Sequence, residues 1–552
     1  MLNDFYSRLK SGTDIRGVAT EGVPGENVNL TLDTCKNITE SFAYWLCEKT
    51  DKKTDELCIS VGRDSRVSGP NIAKTVTNTL AEMGIKVLDC GLASTPSMFM
   101  TTVDLECDGA IQITASHHPF NRNGLKFFTR DGGLESEDIE IILLFTQICE
   151  KSNYDDILPS LEISDLIHIN NMSNTRVDVL QNKFNRVKTL SQTLNTDIDN
   201  GLLPEYSFKK KIIPTDYMST YCERLRNMIK SEVNAEDYDH PLKGFKIVVD
   251  AGNGAGGFYA DKVLEPLGAD TTGSRYLEPD GMFPNHVPNP ENKEAMKSIC
   301  EAVLESNADM GVIFDTDVDR GGAVDKSGNE INRNRLVACA AAIALEGNEG
   351  GTIVTDSITS DGLKEFIEQT LGGKHHRFKR GYKNVINEAI RLNNEGINCP
   401  LAIETSGHAA MRENYFLDDG AYLCTKLIIK MAKLKKEGKT LEEYISQLKE
   451  AKEENEVRYK ITEKDFRSYG ESVIEKLNEY ALTQDGWTLA DDSREGVRVS
   501  LDKDHGNGWF LLRLSVHDPI MPLNIESNDI GGVDIIMEQV KKFISTCDGL
   551  EL

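Results

Sequence analysis

Short apolar runs alternate along this chain with polar turns and with longer segments of helical spacing, and the cycle repeats many times. Leu57-Cys58-Ile59-Ser60-Val61 reads as a strand running into the polar turn Gly62-Arg63-Asp64-Ser65-Arg66. A helix is predicted over Asn71 to Met83, then a second strand at Lys86-Val87-Leu88-Asp89. The same order of elements recurs at Ala110-Ile111-Gln112-Ile113, Phe245 to Asp250, Met310 to Phe314 and Thr352 to Thr355. Such βαβ repetition predicts mixed or parallel sheets covered by helices. Two stretches break it. Asp155 to Lys211 is polar, rich in Asn, Asp and Ser, and weakly periodic, which predicts a peripheral insertion. Lys433 to Glu456 is highly charged with helical character, which predicts a connector before a last domain that ends in an amphipathic helix near Val533 to Ile544.

Composition narrows the class. At 552 residues the chain is long enough for several domains, and 39% hydrophobic with 27% charged residues is an ordinary globular balance. A net charge of -27 argues against a nucleic-acid partner. The 12 cysteines are scattered without a CxxC pair, so neither a disulfide framework nor a cysteine zinc site is indicated. The N-terminal residues show no basic segment followed by an apolar one, and the longest apolar stretch, Leu336 to Leu345, is about half of a membrane span. The expectation is a cytoplasmic protein without a membrane partner.

Candidate chemistry sits where strands end. Thr114-Ala115-Ser116-His117-His118-Pro119 places a serine hydroxyl on a loop after an apolar strand, and serine can carry a transferable group. Asp315-Thr316-Asp317-Val318-Asp319-Arg320 follows another strand; its alternate aspartates can converge on one hard cation, with Mg2+ the natural occupant. An EF-hand is excluded, because Arg320 stands where glycine is needed and Lys326 where a bidentate glutamate is needed. Glu404 and Ser406, after Leu401-Ala402-Ile403, suit recognition of sugar hydroxyls. Arg513, Ser515 and His517 alternate and would share one face, as a phosphate cradle, if their strand continued. Gly252-Asn253-Gly254-Ala255-Gly256-Gly257 satisfies GxGxxG, but Glu278 and Asp280, at the distance of a ribose-binding acid, lie in a segment that reads as a turn. A dinucleotide site and a tight turn both remain open there.

Taken in order, these loops resemble those of the α-D-phosphohexomutase superfamily over nearly the whole chain. Ser11 to Gly17 is similar to its N-terminal segment. Thr114 to Pro119 is similar to its phosphoserine loop, with His118 for the usual Asn, and Asn123-Gly124-Leu125-Lys126 to the part that follows. Asp315 to Arg320 resembles its metal loop with Thr316 for Gly, and Glu404 to His408 its sugar loop with Ile403 for the leading Gly. Arg513 to Pro519 is the most altered, keeping Arg513 and Ser515 of the phosphate loop; Arg494, Arg498 or His505 are alternative phosphate holders. The dinucleotide reading recedes, since relatives have a similar Asn-Gly turn without a nucleotide.

The resemblance implies an α/β protein of four domains around a central cleft: three related α/β domains with mixed sheets and a C-terminal α+β domain. The divisions expected are 1–212 (with the insertion), 213–330, 331–456 and 457–552. It implies a reversible 1-to-6 phosphoryl shift on a hexose phosphate, through phosphorylated Ser116 and a bound hexose 1,6-bisphosphate. Asp315, Asp317, Asp319 and a Ser116 phosphate oxygen would hold Mg2+, while Arg320 and Lys126 add positive charge. Lys126 and Arg16 would move hydroxyl protons, with His117 a phosphate neighbour. Glu404, Ser406, His408 and Lys383 would bind substrate, and Arg513, Ser515 and His517 its phosphate. A monomer or homodimer acting on sugar phosphates is expected. Phosphoglucosamine mutase, a metal-dependent phosphatase with Asp315 as nucleophile, and a non-catalytic sugar-phosphate binder are the competing readings.

Overall fold

The computed structural model describes residues 2–151, 185, 186, 189, 212–515 and 518–552. They form two compact units, the first ending at Asp319 and the second beginning at Arg320. The insertion expected at 155–211 lies almost wholly outside the described residues.

The first unit opens with a mixed sheet. In spatial order its strands are Lys10–Ser11, Asp14–Val18, Arg122–Thr129, Gly109–Ile113, Cys58–Arg63, Lys86–Leu92 and Ile212–Pro214, with Gly132–Gly133 added beside Arg122–Thr129. Cys58–Arg63 runs parallel to both of its neighbours, while Arg122–Thr129 runs antiparallel to Gly109–Ile113. Every residue of Gly109–Ile113 is buried, as a strand covered on both faces requires. The helix Leu32–Thr50 begins where the Thr31 side chain accepts from the Thr34 amide, and it ends at Asp51 with φ 55°. Its Phe42 and Trp45 join Ile59, Val61, Ile111, Ile113 and Phe127 in the core. Further along, Ile247–Asp250 pairs in parallel with Met310–Phe314, and the Asn292-capped helix Lys293–Ser306 packs against both.

The second unit begins with the antiparallel pair Gly321–Asp325 and Glu330–Ile331. A five-stranded sheet follows, Lys374–Arg377, Thr352–Thr355, Leu401–Ile403, Ala409–Met411, Leu417–Asp418; the first three strands are parallel and the last two antiparallel. The apolar Leu336 to Leu345 stretch belongs to the buried helix Arg333–Leu345, and no described helix is long and apolar enough to cross a membrane. The chain closes with a six-stranded antiparallel sheet, Trp487–Leu489, Val497–Leu501, Gly508–Leu512, Ile520–Ser527, Glu453–Ile461 and Leu550–Glu551. The helices Phe466–Ala481 and Gly532–Ile544 share its core, which makes this part α+β.

One expectation changes. The charged stretch from Lys433 is not one connector, because Glu453–Ile461 is already a strand of the last sheet; its exposed Glu454, Asn455 and Glu456 hide the strand period. The strand Gly508–Leu512 stops before Arg513, but the Arg513 amide donates to the Pro522 carbonyl at 3.1 Å and the Ser515 amide to the Ile520 carbonyl at 3.0 Å, so alternate backbone pairing runs on past the strand.

Candidate active site

In the first unit the strand Gly109–Ile113 delivers the chain to Thr114, and there the backbone folds sharply. Ser116 has φ 51°, a left-handed conformation that a serine adopts only when its surroundings impose it. The surroundings are on hand. Thr114 Oγ1 accepts from the Ser116 amide at 2.9 Å and donates to Asp64 Oδ2 at 2.6 Å. Arg66 donates to the carbonyls of Pro119 (2.7 Å), Arg122 (2.8 Å), His118 (2.6 Å) and Ser116. Arg66 and Asp64 are both fully buried and form an ion pair at 3.3 Å. Burial pushes the Asp64 carboxyl up to about 6, against the opposing pull of Arg66 and the Thr114 hydrogen bond.

Held this way, the Ser116 hydroxyl donates to Asp315 Oδ2 at 3.0 Å and lies 3.3 Å from His117 Nδ1. Carboxylate oxygens of Asp315, Asp317 and Asp319 gather within 4.8 Å of one another, all three residues buried. Val318 between them takes φ 67°, costly for a β-branched residue, so the aspartate loop is itself strained. The Lys126 ammonium bonds Asp317 at 3.2 Å and also Asp319. Thr95, at the start of the helix Thr95–Asp104, donates its amide to the Asp317 carbonyl at 2.8 Å and its hydroxyl to Asp317 Oδ2. Three buried carboxyl groups converging this closely offer the oxygen donors that a divalent cation takes. Asp317 Oδ1 is buried without a hydrogen-bond partner among the described residues, so the donor set fits a hard metal ion. Arg16, opposite Gly124 on the neighbouring strand, donates to Asp14 at 2.7 Å.

The glycine-rich segment serves this loop. The Ala255 amide donates to the Thr316 carbonyl at 2.8 Å, and a Cβ on Gly254 would stand 2.7 Å from that carbonyl oxygen. Asn253, at φ 61°, is fixed by the Glu278 carbonyl at 2.8 Å and by Asn285 at 2.8 Å. Glu278 thus lends its backbone to the turn, which gives these glycines a packing role.

In the second unit the strand Leu401–Ile403 leads to Glu404, whose Oε1 accepts from the Gly381 amide at 2.6 Å. Ser406 Oγ lies 2.8 Å from His408 Nδ1 and 3.4 Å from Glu404 Oε2, so the three side chains form one polar group. The Tyr382 ring stacks on His408 at 5.2 Å. Thr405 bonds Asp356 through its hydroxyl at 2.9 Å and its amide at 3.3 Å. Burial first, then the Glu404 charge, pushes Asp356 up to about 7. Glu404 stays below its ordinary value, because His408 and Arg380 outweigh its burial. Lys383, half-buried, sits in the first turn of the helix Tyr382–Asn394. Arg320 is buried, and its backbone bridges that of His408.

On the last loop Arg513 lies 3.8 Å from Glu495, and burial lowers its pKa. Glu495 also accepts from Ser357 Oγ at 2.6 Å and from the Arg380 amide at 3.1 Å. Ser515 Oγ accepts from the Asp518 amide at 3.3 Å, while His517 lies outside the described residues. Two of the alternative phosphate holders have structural duties. Arg498 is buried between the Ser357 carbonyl (3.1 Å), Asp361 (2.9 Å) and the Trp509 ring (3.5 Å). His505 is paired with Asp502 at 2.6 Å.

Sequence reasoning thus found Ser116, Lys126 and the aspartates, which the fold brings together. It missed Arg66, Asp64, Thr95, Asp356 and Glu495 as supports. The polar turn Gly62 to Arg66 after a strand was the signal for the first two.

A serine hydroxyl bonded to one of three clustered buried aspartates, with a lysine ammonium on the other two, is an arrangement chemically suited to metal-assisted phosphoryl transfer, and it stands on α/β domains. Family models described as phosphoglucomutase/phosphomannomutase α/β/α domains I, II and III match residues 8–148, 219–328 and 332–451, and the chain belongs to that family, within the α-D-phosphohexomutase superfamily. A phosphomannomutase/phosphoglucomutase of Pseudomonas syringae pv. tomato is 27% identical over 93% of this chain and 90% of its own. A phosphoglucomutase of Neisseria gonorrhoeae is 26% identical over 93% of this chain and 94% of its own. The crystal structure of a phosphoglucomutase/phosphomannomutase family protein from Burkholderia thailandensis shares the fold, with TM-score 0.68 and 22% identity over 99% of this chain and 98% of that one.

Proposed function

We propose that this chain moves a phosphoryl group reversibly between the 1- and 6-positions of a hexose phosphate, glucose phosphate, mannose phosphate or both, with Ser116 as the phosphate carrier and a hexose 1,6-bisphosphate as the bound intermediate. The observation that carries the proposal is the Ser116 hydroxyl at 3.0 Å from Asp315, within the aspartate cluster that Lys126 partly neutralises. Asp315, Asp317 and Asp319, with an oxygen of the Ser116 phosphate, would hold Mg2+, which supplies neutralising charge to the phosphoryl group when bound. In the forward step the bond from phosphorus to Ser116 Oγ breaks and one to the sugar hydroxyl oxygen forms; the hydroxyl proton passes to Ser116 Oγ, with Lys126 and Arg16 assigned to that transfer. The reverse transfer, from the other end of the bisphosphate, restores phospho-Ser116. His117 is a neighbour of the phosphate, and Arg320 adds positive charge.

Glu404, Ser406 and His408 are assigned to the sugar hydroxyls, with Lys383 beside them, and Arg513, Ser515 and His517 to the second phosphate. The four-domain division 1–212, 213–330, 331–456 and 457–552 is part of this proposal, supported by the three matching family models and by the separate sheet that includes Glu453–Ile461. A monomer or homodimer in the cytoplasm is the expected form.

Peptide mass spectrometry after incubation with hexose 1,6-bisphosphate tests the carrier, together with assays on glucose, mannose and glucosamine 1-phosphates. Phosphate on Ser116, and a loss of roughly 10³-fold or more in Ser116→Ala, is expected. Unmodified Ser116, or full activity in Ser116→Ala, overturns the proposal. Hydroxylamine-labile phosphate on Asp315 would indicate a phosphatase, preference for the amino sugar a phosphoglucosamine mutase, and binding without turnover a sugar-phosphate binder.

A further inference from the structure

At the end of the first sheet opposite the Ser116 loop, two cysteines meet. Cys58 begins the strand Cys58–Arg63, and Cys107 precedes the parallel neighbour Gly109–Ile113. Their sulfurs lie 3.8 Å apart. Closure to a disulfide of about 2.05 Å needs the sulfurs to approach by under 2 Å. Asp108 fixes the two segments to each other: its amide donates to the Cys58 carbonyl at 2.8 Å, and its Oδ2 accepts from the Cys58 amide at 2.9 Å. The pair is asymmetric, with Cys58 partly exposed and Cys107 3% exposed.

Charge favours Cys58 as the reactive member. Lys86 lies beside it across the sheet, and Lys52 bonds Asp108 at 2.5 Å. The hydrogen bond with Cys107 draws the Cys58 thiol down to about 7, against burial, and the same contact raises Cys107. A partly exposed, acidified thiol beside a buried one is the arrangement in which one sulfur attacks an oxidant and the other resolves the product.

We propose that Cys58 and Cys107 form a reversible oxidation site, a dithiol that a hydroperoxide converts to a disulfide. The Cys58 thiolate attacks the peroxide O–O bond and becomes a sulfenic acid, releasing water or an alcohol. The Cys107 thiol then displaces that hydroxyl as water, joining the sulfurs. In all, two thiols lose two hydrogens and two electrons to one peroxide. A small thiol reverses the reaction by exchange.

The test uses the full-length reduced protein. It is titrated with hydrogen peroxide near neutral pH, its remaining thiols are alkylated, and its peptides are mapped by mass spectrometry. A Cys58–Cys107 cross-linked peptide should appear first among the cysteines and vanish on treatment with dithiothreitol. In Cys107→Ser, Cys58 should accumulate as a sulfenic acid trapped by dimedone; in Cys58→Ser, Cys107 should stay alkylatable only after unfolding. The proposal fails if Cys58 and Cys107 remain unlinked while other cysteines oxidise. It fails also if Cys107 oxidises equally fast in Cys58→Ser. The wild-type map decides the matter even if a variant does not fold.

Discussion

The Ser116 hydroxyl donates to Asp315 although 199 positions separate the two residues. The contact joins the loop after Gly109–Ile113 to the loop after Met310–Phe314, both ends of buried parallel strands where α/β proteins build their sites. Each loop is strained at one residue, Ser116 or Val318, and each is tied down by its neighbours, the first by Thr114 and Arg66, the second by Thr95 and Lys126.

The first prediction concerns the cation. Asp317 is held by Thr95 and Lys126, so Asp317→Asn keeps the loop in place while removing one ligand charge. The Mg2+ concentration for half-maximal activity should rise at least about tenfold, since ligand charge sets affinity for hard cations. Excess chelator should abolish wild-type activity, and Mg2+ should restore it. Equal Mg2+ titrations for the two proteins would remove Asp317 from the metal site.

Arg66 tests the support of the serine. It binds four carbonyls of the loop from Ser116 to Arg122 and pairs with buried Asp64. Arg66→Ala leaves that carboxylate uncompensated and should cost about 3–5 kcal/mol in urea unfolding. Asp64→Asn in the same chain should recover part of the loss, a coupling that independent roles would not give. Phosphorylation of Ser116 should fall in Arg66→Ala even where the protein is fully folded.

Gly254 tests the packing role of the glycine-rich turn. A Cβ there would approach the Thr316 carbonyl oxygen to 2.7 Å and its Cα to 2.8 Å, both backbone atoms of the aspartate loop. Gly254→Ala should destabilise by about 1–3 kcal/mol and raise the Mg2+ requirement. Gly133→Ala, whose nearest neighbour would stand at 3.6 Å, is the matched control and should be near neutral. Neither variant should change binding of a nicotinamide dinucleotide, which we expect to be absent throughout.

Ser116, Lys126 and the aspartates were legible in the sequence because their chemistry is carried by side chains at strand ends, in patterns few other functions require. Strand periods placed most of the sheets for the same reason: buried parallel strands leave continuous apolar runs. Arg66 was not legible, since it acts on backbone carbonyls that no pattern of side chains encodes. Glu453–Ile461 was hidden by charges on its exposed positions. The alternation of Arg513 and Ser515 has a backbone counterpart, since their amides bond the Pro522 and Ile520 carbonyls beyond the end of the strand at Leu512.

Asp356 gives the sugar loop a pH-dependent anchor. It accepts from both the amide and the hydroxyl of Thr405, and it is fully buried near Glu404 and Arg380. Its pKa of about 7 stands above the unfolded value of about 3.9, so between these limits the native state holds a proton that the unfolded chain lacks. The stability contribution is therefore fully present below the unfolded value and is lost as pH rises through 7. Asp356→Asn keeps an acceptor for Thr405 and cannot ionise, so its stability relative to wild type should grow by about 2 kcal/mol between pH 5.5 and 8. Urea unfolding of the two proteins at several pH values reads this directly; curves that stay parallel would mean that Asp356 is ionised throughout. The pH dependence of KM for the sugar phosphate should flatten in the same variant, because Thr405 is then held by an acceptor whose charge no longer changes.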